Sequence, residues 1–342
     1  MKLAVISDIH VLGPRELDAA RAAHDALGSN LSPLRKKWRR GLHRVRRRLW
    51  NGHLELREPA FRHALARLLD YDPDWVICNG DFGGDYGGTG LSNDATFESA
   101  GSAVQLMRDL FAERCQFVFG DHDLGKYSTA LREGGIRLSS LERGEKALGI
   151  PSFWHVVDED FHLIGVNSSL CTLELFLPEA LAHEIPEWQR LRAEHIEHVR
   201  HAFDDLPRHA RVILFCHDPG ALTMLAQVPV VQRRLKQIEL TVVGHLHSPS
   251  LLKLAKLAPS TKNWNPKYPV ARIIARGLEG VRAWSQFKPV VCPSTFGTGH
   301  HVAGGLLLIE RDAHSTLVAR KLRLPRPRHL KKDAKHNHGK TS

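Results

Sequence analysis

Short apolar runs recur along the chain, and several contain the β-branched and aromatic residues that favour strands. Each run is only a few residues long and is bounded by polar or turn-forming residues, which is typical of buried strands. The pattern predicts strands at Leu3–Ile6, Trp75–Cys78, Gln116–Phe119, His162–Val166, Arg211–Cys216, Leu240–Val243, Val290–Cys292 and Gly305–Ile309.

Helical patterns lie between several of these runs. Residues 59–69 and 187–206 have apolar positions at spacings of three and four, which predicts amphipathic helices. Strands that alternate with helices indicate a layered α/β fold. The late segments 290–293, 305–310 and 316–322 have no helix between them, so we expect them to pair antiparallel at one edge.

Length and composition limit the class of protein. The chain has 342 residues, 42% of them hydrophobic, which is enough to bury the core of one large domain or two ordinary ones. Its five cysteines form no CxxC pair, which excludes a zinc ribbon and a disulfide scaffold. The first residues lack a signal-peptide pattern, because Asp8 and His10 interrupt the apolar stretch, so a cytoplasmic location with reduced cysteines is expected.

Five short polar motifs follow predicted strands. They are Asp8-Ile9-His10, Gly80-Asp81, Gly120-Asp121-His122-Asp123, His217-Asp218 and Gly244-His245-Leu246-His247. Ligands of open α/β folds collect beyond the carboxyl ends of the strands. We therefore expect all five motifs to lie on one rim of the sheet.

The residue types in these motifs are those of a metal centre. Carboxylates mixed with imidazoles suit Mn²⁺, Fe or Zn²⁺ better than Ca²⁺, which prefers oxygen ligands. The set is too large for one ion, but two divalent ions bridged by a carboxylate would use it fully. Taken singly, most of these motifs have ordinary structural explanations; their order along the chain favours the metal centre.

The ordered set D-x-H, G-D, G-D-H-D, H and G-H-x-H resembles the calcineurin-like metallophosphoesterase superfamily, whose pattern has G-N-H-[DE] at the third position. The resemblance spans Asp8 to His247. It implies an α/β, four-layer fold in which two mixed β-sheets form a sandwich flanked by helices. We expect one such domain over residues 1–324, with basic insertions at about 31–52 and 251–288 and a basic, disordered tail at 325–342.

The resemblance also implies roles for the motif residues. One metal ion would be held by Asp8, His10, Asp81 and His247, and the other by Asp81, Asp121, His217 and His245, with Asp81 as the bridge. His122 would act as general acid or electrostatic stabiliser, oriented by Asp123. Mn²⁺ is the first choice of metal, with Fe or Zn as alternatives.

The implied activity is hydrolysis of a phosphoester or pyrophosphate bond by a metal-bridged hydroxide. The enzyme would be a phosphatase, phosphodiesterase or pyrophosphohydrolase. Asn167 ends another predicted strand at the same rim and is a candidate substrate contact.

One position departs from the family pattern, since Asp121 stands where the family has Asn. A carboxylate oxygen can replace the amide oxygen as a metal ligand, so the site should persist. The extra negative charge is expected to tighten metal binding and to weaken the attraction for phosphate.

The net charge of +11 is unevenly distributed. Residues 35–48, 251–288 and 318–342 carry +9, +7 and +8, so the remainder of the chain carries −13. Such a division indicates an anionic partner reached by dedicated segments.

Residues 34–50 combine an apolar stripe with an almost continuous cationic face, which is typical of a helix at a membrane interface. The contact residues would be Trp38, Arg39, Arg40, Arg44 and Arg47. We therefore expect peripheral attachment to the inner face of a membrane and a lipid-linked substrate. An amphipathic helix that packs on its own domain would have a similar pattern.

Two other classes of function fit the same residues. Arg-rich segments also bind phosphate backbones, so a nuclease or nucleotide phosphodiesterase acting on polynucleotide is the first alternative. Trp38, Trp50, Trp264 and Trp284 are the aromatic residues near the basic segments that could stack on bases. The second alternative is a degenerate, non-catalytic binding protein on the same fold.

Overall fold

Ten strands form two five-stranded sheets in a computed structural model that describes residues 1–26, 54–126, 134–245, 284–295 and 304–325. The first sheet has the order β10-β9-β1-β2-β3 and the second β4-β5-β6-β7-β8. The strands are β1 Lys2–Ile6, β2 Trp75–Asn79, β3 Cys115–Val118, β4 Phe153–Asp158, β5 Phe161–Val166, β6 Arg211–Cys216, β7 Ile238–Val243, β8 Pro289–Val291, β9 Gly305–Arg311 and β10 Leu317–Arg323.

Both sheets are mixed. In the first, β1, β2 and β3 run parallel, and β9 and β10 add antiparallel strands on the other side of β1. In the second, β4 and β5 form an antiparallel pair, and β5 to β8 run parallel. The prediction that the late segments pair antiparallel is confirmed for β9 and β10 and wrong for β8, which pairs parallel with β7 in the other sheet.

Apolar side chains cover both faces of each sheet. On β1, Leu3 and Val5 pack into the interface between the sheets, where Ile213 and Phe215 of β6 join them. Ala4, the intervening residue, belongs to the core between the first sheet and its helices. Successive side chains of this buried strand therefore point into two different cores, one on each face of the sheet. The result is the expected four layers of helices, sheet, sheet and helices.

The helices are amphipathic and pack on the outer faces of the sheets. The helix predicted over 59–69 lies within Arg57–Tyr71, and the one predicted over 187–206 corresponds to Ile185–Asp204. The α-helices of the described residues are Pro14–Ala26, Arg57–Tyr71, Asp94–Phe111, Asp121–Leu124, Leu138–Glu142, Ser168–Cys171, Leu173–Phe176, Ile185–Asp204, Gly220–Leu225 and Pro229–Arg234. Single 3₁₀ turns lie at Leu54–Leu56, Gly90–Ser92, Ala112–Arg114, Leu177–Glu179, Ala182–Glu184 and Leu235–Gln237, and a π turn lies at Arg143–Ala147.

Most of the predicted basic insertions and tail lie outside the described residues: all of 31–52, most of 251–288, and 326–342. The end of the second insertion is described, and there Trp284 and Phe287 are buried against the second sheet. The indole nitrogen of Trp284 donates to Thr223 Oγ1 at 3.1 Å. This tryptophan is therefore a core residue and not a platform for bases. Among the described residues, no helix combines the length and apolar character that crossing a bilayer requires.

Candidate metal centre

The carboxyl ends of five parallel strands deliver acidic and imidazole side chains to one rim, as the motif order predicts. Asp8, Asp81 and Asp121 follow β1, β2 and β3 of the first sheet, whereas His217 and His245 follow β6 and β7 of the second. The site is thus built by both halves of the sandwich. His247, expected on the first metal, lies outside the described residues, as do Trp38, Arg39, Arg40, Arg44 and Arg47.

Three overlapping groups of potential ligands result. They are Asp8, Asp81 and His217; Asp81, Asp121 and His122; and Asp121, His217 and His245, with the ligand atoms of each group within 4.8 Å of one another. Asp81 belongs to two of these groups, and so do Asp121 and His217. Overlap of this kind suits two neighbouring ions with shared ligands.

Sharp backbone turns bring these side chains together. Asp8, His10, Asp81 and His245 all have positive φ, between 43° and 61°, which is rare for residues other than glycine. Backbone bonds hold the turns, since Asp8 N donates to Gly80 O and His10 N to Asp81 O, each at 3.0 Å.

Two glycines allow the loops after β2 and β3 to touch. A Cβ at Gly80 would lie 2.6 Å from Gly120 N, and one at Gly120 would lie 2.1 Å from Asp81 Oδ1. A side chain at Gly120 would displace the Asp81 carboxylate, and one at Gly80 would collide with the Gly120 backbone and the His217 ring.

The hydrogen bonds of two histidines show that the centre needs positive charge. His217 Nδ1 lies 2.8 Å from Asn79 O, and because a carbonyl oxygen only accepts, Nδ1 must carry the proton. In the neutral ring the lone pair of Nε2 then faces Asp81 Oδ2 at 3.2 Å and Asp121 Oδ1 at 3.3 Å. A lone pair aimed at two carboxylates requires a cation between them, either a proton on the ring or a metal ion.

His10 repeats this arrangement. Its Nδ1 lies 3.1 Å from Gly83 O, and its Nε2 lies 3.5 Å from Asp81 Oδ2. In both histidines a backbone carbonyl orients the ring and leaves Nε2 for the centre, as is usual for metal-ligating imidazoles. The donor set and its orientation fit a pair of divalent ions.

Electrostatics in the metal-free chain point the same way. Burial lowers the pKa of His217, but Asp81 and Asp121 outweigh it and raise the pKa well above its usual range. Burial raises the pKa of Asp121, but Lys126 and His245 outweigh it and hold the pKa well below its usual range. The Asp121 carboxylate is therefore ionised and attracts cations.

His122 lies at the edge of the centre, and its carboxylate partner is Asp85. Its Nδ1 is 3.2 Å from Asp85 Oδ2, while its side chain keeps 32% exposure. Burial lowers the pKa of His122, but Asp81 and the bond to Asp85 raise it to about 9. In the metal-free chain the ring is therefore protonated at neutral pH.

Asp123 does not have the expected role of orienting His122. Its carboxylate accepts from the backbone N–H groups of Asp81, Phe82 and Gly120 at 2.8–2.9 Å. It braces the loops after β2 and β3 and does not orient His122. Asp85 does so instead, and sequence reasoning missed it because it lies in a glycine-rich run that reads as a surface turn; its position four residues after Asp81 was the available signal.

Asn167 lies at the expected rim, where it caps a helix. Its Oδ1 accepts from Ser169 N at 3.1 Å and Leu170 N at 3.3 Å, and the residue is only 1% exposed. These bonds secure the start of the helix Ser168–Cys171 beyond β5. The described geometry gives Asn167 a structural role, and its contact with a substrate stays a prediction.

Comparison with known proteins gives a family match over most of the chain. The family model for calcineurin-like phosphoesterases matches residues 1–249. No curated protein sequence is significantly similar to the chain.

The solved structures that are similar to the chain include the following three, all at low identity. A dimetal phosphatase from Danio rerio has 12% identity and a TM-score of 0.48, covering 94% of this chain and 96% of that one. The phosphoesterase Yfce from E. coli has 11% identity and a TM-score of 0.33, covering 95% of this chain and 100% of that one. Phosphopantetheinyl hydrolase from Mycobacterium tuberculosis has 13% identity and a TM-score of 0.34, covering 72% of this chain and 83% of that one. Assignment to a family therefore depends on the match over residues 1–249.

Proposed function

The chain belongs to the calcineurin-like phosphoesterase family and is a metal-dependent phosphoesterase, and we propose that it cleaves a phosphoester or pyrophosphate bond at the rim described above. The observation that carries this proposal is the convergence of His10 Nε2 and His217 Nε2 on Asp81 Oδ2, at 3.5 and 3.2 Å. Asp81 would therefore serve as the carboxylate that the two ions share.

The residues divide between two metal positions. Asp8, His10 and Asp81 would hold the first ion, together with His247. Asp81, Asp121, His217 and His245 would hold the second. We favour Mn²⁺, with Fe and Zn as alternatives, because the donors mix oxygen and nitrogen. When bound, such ions polarise phosphoryl oxygens and lower the pKa of coordinated water.

His122 is the side chain that would donate a proton to the leaving group. Asp85 fixes Nδ1, so Nε2 is the ring atom left to meet a substrate. A protonated Nε2–H can donate to the leaving oxygen or stabilise its developing charge. The partial exposure of the side chain at the rim leaves it accessible from solvent.

A hydrolysis screen tests the proposal. The wild-type protein with Mn²⁺ is assayed on phosphate mono- and diesters, including bis(p-nitrophenyl) phosphate, and on pyrophosphates, including nucleotide-lipids. His122→Ala should lower kcat by about 10²- to 10⁴-fold and leave Mn²⁺ binding intact. His201→Ala, a change at an exposed helical histidine, is the matched control. A protein that binds no Mn, Fe or Zn and hydrolyses none of these substrates would instead be the non-catalytic member of the fold.

We also propose that the substrate is lipid-linked and is met at an anionic membrane surface on the cytoplasmic side. Support comes from the sequence, where the +9 segment 35–48 lies between the first and second metal motifs and 251–288 follows the last. Action on polynucleotide is the weaker candidate, because Trp284 is buried in the core.

Co-sedimentation with liposomes separates these two readings. Anionic vesicles should carry down the wild-type protein, and Trp38→Glu should reduce the bound fraction. The protein could instead fail to bind the vesicles but bind DNA or RNA in a salt-sensitive way that Trp38→Glu does not change. The hypothesis of a polynucleotide substrate would then replace that of a lipid-linked substrate.

A further inference from the structure

Asp121 divides its two carboxylate oxygens between different partners. Oδ1 faces the metal centre, 3.2 Å from His245 Nδ1 and 3.3 Å from His217 Nε2. Oδ2 accepts a bond from Lys126 Nζ. One carboxylate oxygen of this candidate ligand thus faces two histidines of the centre, and the other carries a lysine.

The backbone between the two residues is shaped for this contact. Gly125 has a φ of 105°, and its N–H donates to Asp121 O at 3.1 Å, which folds the chain back towards the rim. A Cβ at Gly125 would lie 2.4 Å from Gly135 O, so glycine is required there. Lys126 therefore emerges beside Asp121 because of a tightly packed turn.

The surroundings keep Lys126 charged. Its ammonium bonds directly to the Asp121 carboxylate, and an ion pair favours the charged form of both groups. The side chain is 36% exposed, so water reaches it from the open side of the site. A positive charge accordingly sits on the second oxygen of one candidate metal ligand.

We propose that Asp121 and Lys126 act as one charge-neutral unit at the second metal position, with Lys126 as the positioning residue that sets the charge there. An amide at position 121 would offer one neutral oxygen to the metal; the carboxylate adds a negative charge, and Lys126 cancels it. The pair would thereby keep the attraction for an anionic phosphate that an unbalanced carboxylate would weaken. This inference rests on the proposed function, because it assumes that the second metal position is used.

Titration of the metal-free protein with Mn²⁺ alone, followed by calorimetry, tests the unit without any substrate. Lys126→Met leaves an unbalanced carboxylate and should tighten Mn²⁺ binding about tenfold. Asp121→Asn leaves an unbalanced ammonium and should weaken it about tenfold. The double variant removes both charges and should return to the wild-type affinity.

Two further variants serve as controls. Lys126→Arg keeps the charge and should bind Mn²⁺ like the wild type. Lys146→Met breaks the exposed pair of Lys146 with Glu142, away from the centre, and should change nothing. Circular dichroism establishes that each variant is folded before titration.

Three results would overturn the proposal. Lys126→Met could leave the affinity unchanged, which would make the lysine a spectator. It could weaken binding, which would make its role structural. The double variant could stay as weak as Asp121→Asn, which would show that the two residues are not a unit.

Kinetics of the loaded enzyme then separate this proposal from the proposed function. On bis(p-nitrophenyl) phosphate, Lys126→Met should raise KM more than it lowers kcat, because the extra negative charge opposes binding of an anion. If no variant hydrolyses any substrate, the proposed function fails, while the Mn²⁺ affinities still decide whether Lys126 balances Asp121.

Discussion

His122 and Asp85 form a hydrogen-bonded pair whose members follow different strands, β3 and β2. Asp85 is buried, and besides His122 it accepts from Gly90 N at 2.8 Å. Its own position is therefore fixed by the glycine-rich turn, and it transmits that order to the imidazole. Partners of this kind hold one tautomer and one orientation of the ring.

Asp85→Asn should lower kcat about 10- to 100-fold, because an amide holds the ring less firmly and does not stabilise its protonated form. Mn²⁺ affinity should not change, since Asp85 is absent from the ligand groups. Steady-state kinetics and calorimetry on the same preparation measure both quantities. Asp109→Asn, at an exposed position on the helix Asp94–Phe111, is the control. An unchanged kcat would mean that Asp85 does not position His122.

His195 gives the fold a sensitivity to acid. It lies on the buried face of the helix Ile185–Asp204, edge-on to Phe153, and neither ring nitrogen has a hydrogen-bond partner among the described residues. Burial, with help from His198, lowers its pKa to about 3. The unfolded chain takes up a proton near pH 6.5, whereas the folded chain resists it, so stability is present above pH 6.5 and is lost as the pH falls towards 3.

His195→Leu should remove this loss. Between pH 7 and pH 5 the decrease in unfolding free energy should shrink by about 2 kcal/mol, since each pKa unit is worth about 1.4 kcal/mol. Urea unfolding in the presence of a chelator measures it without interference from metal release. His201→Leu, on the exposed side of the same helix, should keep the wild-type pH dependence. An identical pH dependence in His195→Leu would contradict the assignment.

At the residue scale, the residues that form the site were easier to predict than the contacts between them. Asp8, Asp81, Asp121, His217 and His245 could be placed at one rim because each directly follows an apolar run. Which carboxylate holds His122 could not be predicted, because that depends on how the turn between Gly83 and Gly90 folds back. The same is true of Lys126, whose contact with Asp121 requires the left-handed turn at Gly125.

At the element scale, one tryptophan ties the edge strands of the two sheets together. Trp154 of β4 donates from Nε1 to Phe117 O of β3 at 2.8 Å. Its ring covers Gly165, where a Cβ would lie 2.1 Å from Trp154 Cε2. The hydrogen bond crosses the sandwich, and the glycine on β5 makes room for it.

Gly165→Ala should therefore destabilise the protein by about 1–3 kcal/mol, because the added methyl group pushes the indole out of its place. The midpoint of urea unfolding reports the change. Gly101→Ala is a matched control with the opposite sign: it lies in the helix Asp94–Phe111 with only Leu148 Cδ2 nearby, at 3.4 Å, and should stabilise by up to about 1 kcal/mol. Equal stabilities for wild type and Gly165→Ala would show that the tryptophan is not constrained by this glycine.

Element types were easier to predict than element partners. Short apolar runs identified most strands, and the helix stripes matched buried faces. The partner of β8 was not predictable, because neighbouring positions in sequence do not reveal that the chain changes sheets between Val291 and Gly305. Only the tertiary structure decides which edge is open to a short strand.

At the scale of the whole molecule, side-chain contacts join the two sheets at both ends of the sandwich. Opposite the metal rim, Arg211 of β6 and Arg311 of β9 lie over the ring of Phe161, at 4.3 and 4.9 Å from its centroid, and both pair with Asp160. This group joins the second sheet to the first. At the rim, the ligands from β1, β2 and β3 meet those from β6 and β7.

Metal removal should accordingly weaken the entire fold and not just the rim. Ions that bind only the folded chain stabilise it by about 2.7 kcal/mol at a concentration of 100 times Kd. Thermal unfolding with Mn²⁺ and with a chelator measures the effect, and Lys126→Met and Asp121→Asn should shift it in opposite directions. A melting temperature unaffected by the chelator would mean that no ion bridges the sheets.

The wide separation of the ligands along the chain also bears on the order of events in folding. Asp8 and His217 belong to one group of potential ligands but follow strands of different sheets, so they meet only after both sheets have formed and docked. Contacts so distant in sequence close late, so the ions find their ligands after the folding barrier has been crossed. Mn²⁺ should then slow unfolding while leaving the refolding rate almost unchanged, which stopped-flow measurements in urea would reveal.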